Sequence, residues 1–148
     1  MRKVWAYTGE DNYDKKTIIF EVRFEHEKNI WKKIELKSNN SLEDLHNAIQ
    51  FAINWDNDHM YAFFMDNIHY SKNKEMEYTC PVEPEGRKTT DKAKLNSFNF
   101  IKGQKFAYVF DFGEDHHFEI KVVEFEIFDN QKKYPFLVDS KGKFPKQY

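Results

Sequence analysis

The stretch from Ser41 to Phe64, SLEDLHNAIQFAINWDNDHMYAFF, restricts the fold more than any other part of the chain. Leu42, Leu45, Ile49, Ala52 and Ile53 recur at helical spacing and so share one helix face. Ser41 stands before them as an N-cap. Asp44 follows where a carboxylate can reach back to the cap and lie at the positive end of the helix. The spacing predicts a helix over about 42–53. Asn54 to Asp58 reads as a polar turn around Trp55, and His59 to Met65 as a strand. A helix with a single apolar face needs a second layer to cover it.

The rest of the chain offers strands for that layer. In Thr17 to Glu25, Ile18, Phe20, Val22 and Phe24 oppose Ile19, Glu21, Arg23 and Glu25, the period of a strand with one buried face. EHEKN reads as a polar turn, and Ile30 to Lys37 as the second arm of an antiparallel hairpin. Lys105 to Phe112 and His117 to Phe128 form another expected hairpin, with a register change near Val122-Val123 and Gly113 supplying a positive φ at the break. Residues 66–96 form an excursion broken by Pro81, Pro84 and Gly86, with a short strand expected near Met76 to Thr79. The Lys- and Pro-rich tail is expected to pack over an edge. The fold class is therefore α+β: a mostly antiparallel or mixed sheet, one principal helix across it, and a β-grasp-like opening. One domain over 1–148 is expected, with a core over about 17–136.

Aromatics make up 18% of the chain, with 15 Phe, enough to fill such a core. The net charge is −2 and the signs are interleaved, which argues against a nucleic-acid footprint. Cys80 is the only cysteine, so a disulfide within the chain and a multi-cysteine zinc site are excluded. No run approaches the roughly 20 apolar residues of a membrane span. The N-terminal stretch has no apolar run, so no secretory signal is expected and a cytoplasmic protein is the default.

The ordered set Leu42, Leu45, His46, Ile49, Gln50, Ala52, Trp55, His59, Tyr61 and Phe63 is followed by Tyr108, Asp111, Phe112 and Gly113, and preceded by Ile30 to Lys33 with its Trp and two lysines. This set resembles the plasmid pRi ORF-three-like domain family over about Thr17 to Phe136. The resemblance implies the fold and a genomic setting near plasmids and transposable elements, and no reaction. The chain departs from the family pattern at Glu114, His116 and Phe118, which stand for Asp, Trp and His. It also has Asn54 for a Gly and lacks a cysteine after Tyr134-Pro135.

The candidate binding residues are His46, Gln50, Trp55, His59, Asp111, Glu114 and His116. Imidazoles and carboxylates together suit a divalent ion, yet a histidine in a core-rich motif more often satisfies a buried hydrogen bond. His116 and His117 are adjacent, so on a strand they face opposite ways. The Asp-Phe-Gly triplet lacks the other elements of a kinase and reads as a turn. Arg23 and Trp31-Lys32-Lys33 offer basic charge that Glu21, Glu25 and Glu35 blunt. No nucleophile elbow is present, and Cys80 has no base that the sequence places beside it. No metal ligand set and no cofactor are assigned. The expected role is a non-enzymatic binding module for a protein or nucleic-acid partner, linked to plasmid or transposon biology. The competing expectation is a metal-dependent hydrolase or nuclease built on the His and carboxylate residues.

Overall fold

A computed structural model describes residues 15–82 and 86–147. The expectation for the N-terminal stretch through residue 14, and the break expected at Pro84, lie outside these residues. Strands β1 (Lys16–Phe24) and β2 (Glu27–Lys37) form the opening hairpin, followed by helix α1 (Leu42–Ile53). Strands β3 (Tyr61–Phe64), β4 (Glu77–Thr79), β5 (Lys105–Phe110), β6 (His116–Ile127) and β7 (Phe136–Lys141) complete the set. They form one seven-stranded sheet in the order β4-β3-β5-β6-β1-β2-β7. Every named strand pairing is antiparallel. An isolated parallel bridge joins Thr79 and Thr89.

The α+β architecture with one helix matches the sequence reading, and the β-grasp-like opening does not. β6 lies beside β1, and β3, the strand after the helix, sits on the far side of β5. The hairpin turn is also tighter than EHEKN suggested, because β2 starts at Glu27.

Period two explains the layering. Ile18, Phe20, Val22 and Phe24 of β1 point into one core with Phe106, Tyr108 and Phe110 of β5 and Phe118, Ile120 and Val122 of β6. Leu42, Leu45, Ile49 and Ile53 of α1 close that core from above. Each such side chain withdrawn from water contributes about 1.5–3 kcal/mol. The bulge expected at Val122-Val123 is present: Phe20 pairs with Val122 and Ile19 with Glu124. On the opposite face, Ala62, Phe64, Ala107 and Val109 make a small second cluster.

The helix ends as its caps dictate. Asp44 N–H donates to Ser41 Oγ at 3.1 Å, and Ser41 N–H donates to Asp44 Oδ2 at 2.8 Å. At the C-terminus Asn54 takes a left-handed conformation, φ 62°. Asn tolerates that geometry better than most residues. The excursion over 66–96 returns to the helix start. Leu42 N–H donates to the Ala93 carbonyl at 2.9 Å, and Leu95 N–H to the Asn40 carbonyl at 2.8 Å.

Candidate functional site

The helix motif builds a closed polar chain beneath a cleft. Gln50 Nε2 donates to the Tyr108 hydroxyl at 3.0 Å. That hydroxyl lies 2.6 Å from His46 Nδ1. Its one proton therefore goes to His46, so Nδ1 accepts and Nε2–H donates to Asn57 Oδ1 at 2.6 Å. Asn57 Nδ2 passes the chain to Asn47 Oδ1 at 3.0 Å. The His46 ring also stacks on Tyr61, with centroids 3.4 Å apart. Burial holds the His46 pKa down at about 4, against a smaller upward effect of the Asn57 bond. His46 is thus a neutral, buried imidazole with both nitrogens engaged. Burial likewise pushes the Tyr108 hydroxyl well above its ordinary value.

Trp55 is buried and ties down the C-terminal segment, donating from Nε1 to the Pro145 carbonyl at 2.9 Å. Gln147 completes that tie: its Oε1 accepts from Asp56 N–H at 2.7 Å and its Nε2 donates to Asp58 Oδ1 at 2.8 Å. His116 packs its ring on Trp55 at 4.6 Å, and burial lowers its pKa. Gln50, Trp55 and His116 therefore support the site from below.

Above them lies a cleft of about 680 Å³. Its wall includes His46, His59, Tyr61, Cys80 and Asp111. His59 Nε2 lies 3.4 Å from Asp111 Oδ2 and 3.6 Å from Asp58 Oδ1. The His59 side chain is 37% exposed while that of Asp111 is 8% exposed. Asp111 is placed by its own turn. It adopts φ 64°, and its Oδ1 accepts from the amides of Gly113 at 3.1 Å and Glu114 at 3.2 Å. The positive φ expected at Gly113 thus belongs to Asp111 and, at 61°, to Asp115. Glu114 gives only its amide to this turn and is absent from the cleft wall. Glu43, on the first turn of α1, also lines the cleft. Burial lifts its pKa, with Asp91 and Asp44 adding to the effect.

A family model described as plasmid pRiA4b ORF-3-like protein matches residues 16–147. The chain belongs to this family. Among solved structures, the fold is similar to a crystal structure of a protein of unknown function from Methanosarcina mazei Go1. The TM-score is 0.74 at 23% identity, over 89% of this chain and 72% of that one. No curated protein matches the chain.

This pRiA4b ORF-3-like chain brings His46, His59 and Asp111 to one cleft, and leaves Gln50, Trp55 and His116 in the packing around it. Among the described residues, one trio of potential metal ligands converges, and it lies elsewhere. Glu25, His69 and His117 bring their ligating atoms within 4.8 Å of one another. His117 opposes Val109 across the strand pair, on the face of the sheet away from α1. Burial, and then the nearby His117, hold the His69 pKa below its ordinary value. Tyr70 lowers that of Asp115 by donating its hydroxyl to Oδ1 at 2.6 Å. Sequence reasoning missed Glu25 and His69. Glu25 reads as the polar end of a strand, and His69 falls in an irregular segment with no periodicity.

Two of the basic residues near Trp31, Arg23 and Lys33, are engaged with their neighbours. Arg23 Nη2 bonds Glu21 Oε1 at 2.9 Å, and Lys33 Nζ sits 4.9 Å over the Trp31 ring. Among the described residues, no helix is long and apolar enough to cross a membrane.

Proposed function

We propose that this chain is a binding module whose cleft takes a cationic, partly apolar segment of a protein partner. One observation carries the reading: Glu43, Asp58 and Asp111 line the cleft, and no lysine or arginine stands among its described lining residues. A phosphate backbone is held by basic side chains, so this lining disfavours nucleic acid. A lysine or arginine side chain gains from the same carboxylates, and more so where water is partly excluded. Met60, Val82 and Phe112 are exposed large apolar residues on the same wall and suit a neighbouring apolar side chain. His59 sits between Asp58 and Asp111 at the mouth and is the group best placed to yield to an incoming cation. The family takes its name from a plasmid reading frame, which supports a place in mobile-element biology.

Amide chemical shifts test the reading. The full chain is titrated with a short Lys- and Leu-containing peptide and, separately, with a short DNA duplex at low salt. The peptide is expected to move the signals of Asp58, His59, Met60 and Phe112, and Asp58→Asn with Asp111→Asn to weaken it about tenfold or more. Duplex DNA moving the same signals, or a peptide response indifferent to both substitutions, overturns the reading.

A further inference from the structure

The geometry points to a divalent first-row metal site formed by Glu25, His69 and His117, with Asp115 as the outer carboxylate that orients His117. The site lies on the sheet face away from α1 and does not depend on the cleft being a binding site.

Three elements meet there. Glu25 follows the last residue of β1 and donates its N–H to the His117 carbonyl at 3.0 Å. Its carboxylate Oε2 lies 3.3 Å from His69 Nε2 and 3.6 Å from His117 Nδ1. A metal bound through nitrogen and oxygen at about 2.0–2.2 Å holds tetrahedral ligand atoms roughly 3.3 Å apart. Two of the three edges are therefore close to what a zinc-sized ion needs.

The donors are also prepared for the task. Asp115 Oδ1 lies 2.7 Å from His117 Nε2. As a carboxylate it accepts, so Nε2 carries a proton, which in the neutral imidazole leaves Nδ1 as the lone-pair nitrogen on the side of Glu25 and His69. A carboxylate behind a ligating imidazole is the usual outer partner of such a metal site. Tyr70 donates to the same Asp115 oxygen at 2.6 Å and fixes it in turn. His69 is carried by a loop pinned on each side, by Asn67 Nδ2 on Glu119 Oε2 at 3.2 Å and by Tyr70 on Asp115. The side chains of His69 and His117 are 17% and 20% exposed, so the trio is shielded without being sealed.

One adjustment accompanies metal entry. The two imidazoles stack at 4.2 Å with planes 11° apart, and one ion cannot lie in the planes of two stacked rings. His69 Nε2 rests 3.2 Å from the Phe118 carbonyl. A carbonyl only accepts, so Nε2 carries the ring proton in that contact. Giving it up, with the proton taken by Nδ1, frees the Nε2 lone pair and lets the His69 ring turn toward the ion. Two imidazoles with one carboxylate select zinc, cobalt or nickel over magnesium or calcium. Three protein ligands leave a fourth position for water or an anion. Glu25 and His69 also border a hollow of about 160 Å³ beside Arg23 and Lys28, which offers a way in.

Cobalt(II) absorption of the full, untagged chain, competed with zinc, tests the site. One equivalent bound in a tetrahedral environment is expected. His69→Gln and Glu25→Gln should each weaken binding at least tenfold, and Asp115→Asn by about 10–100-fold. His59→Gln should leave it unchanged. Where His117→Gln does not fold, Glu25→Gln serves, since that side chain is 43% exposed. No binding at a tenfold excess of cobalt or zinc overturns the proposal. So does binding that survives His69→Gln and Glu25→Gln, or that is lost on His59→Gln.

Discussion

The chain holds two histidine clusters on opposite faces of one sheet, and they are finished to different degrees. On the helix side, His46 gives Nδ1 to Tyr108 and Nε2 to Asn57, and its ring is stacked on Tyr61. No donor or acceptor on that ring remains for a ligand. On the other side, His69 and His117 crowd their nitrogens around one oxygen of Glu25, partly open to solvent. A histidine in a dense motif is thus no guide to a site. What distinguishes the two clusters is whether each lone pair is used up within the fold.

Acidification should expose the closed cluster with the largest effect. The folded pKa of His46, about 4, lies below the ordinary 6.5 of a free imidazole. The unfolded chain therefore binds the proton first. Stability is present above about pH 6.5 and is lost as pH falls toward 4. The shift corresponds to about 3 kcal/mol over that window. His69 and His116 are also depressed and add in the same direction. Denaturant midpoints measured between pH 7 and 4 should fall steeply for the natural chain and clearly less for His46→Gln. An equal slope in both would mean that the ring is not closed in.

Next in size is a matched pair of hydroxyl deletions. Tyr108→Phe removes the group that accepts from Gln50 and donates to His46, in a fully buried place. Gln50 Oε1 is already buried without a hydrogen bond, so little remains to compensate. A cost of about 1–3 kcal/mol is expected. Tyr70→Phe removes a hydroxyl at the open cluster, on a residue that is 48% exposed. It should stay within about 0.5 kcal/mol. Chemical denaturation of both variants measures the difference, and similar losses would erase the distinction between the clusters.

The two clusters also differ in how well the sequence announced them. The helix from Leu42 to Ile53 was legible at both ends because local chemistry sets them: a capping box at Ser41 and Asp44, and a left-handed Asn54. The alternation in β1 and the bulge after Val122 were legible because the core face is apolar and the other face polar, even where that polar face is itself covered, as at Thr17 and Glu21. β7 was not, since all six of its residues are exposed and only main-chain pairing with β2 makes it a strand. The order of strands was equally hidden, because period two says which face is buried and nothing about the neighbour. At the sites, His46, His59 and Asp111 stood within recognisable motifs and do border one cleft. Glu25, His69 and His117 come from three distant segments, one of them irregular, and only the folded sheet brings them together.

The smallest expected effect is the most discriminating for the open cluster. In metal-free buffer, Glu25→Gln should change stability by less than about 0.5 kcal/mol, the usual range for partly exposed ion pairs. The side chain is 43% exposed, and its Oε2 faces the imidazoles of His69 and His117. A carboxylate placed there for the fold alone would have to act through those contacts, and its loss would then cost stability in the absence of any ion. A carboxylate placed there for a ligand would cost little in metal-free buffer, and its loss would appear only when the ion is supplied. Metal-free thermal melts of Glu25→Gln and the natural chain separate these cases. A deficit above about 1 kcal/mol would make the open cluster a second structural device, and the contrast between the two faces would fail.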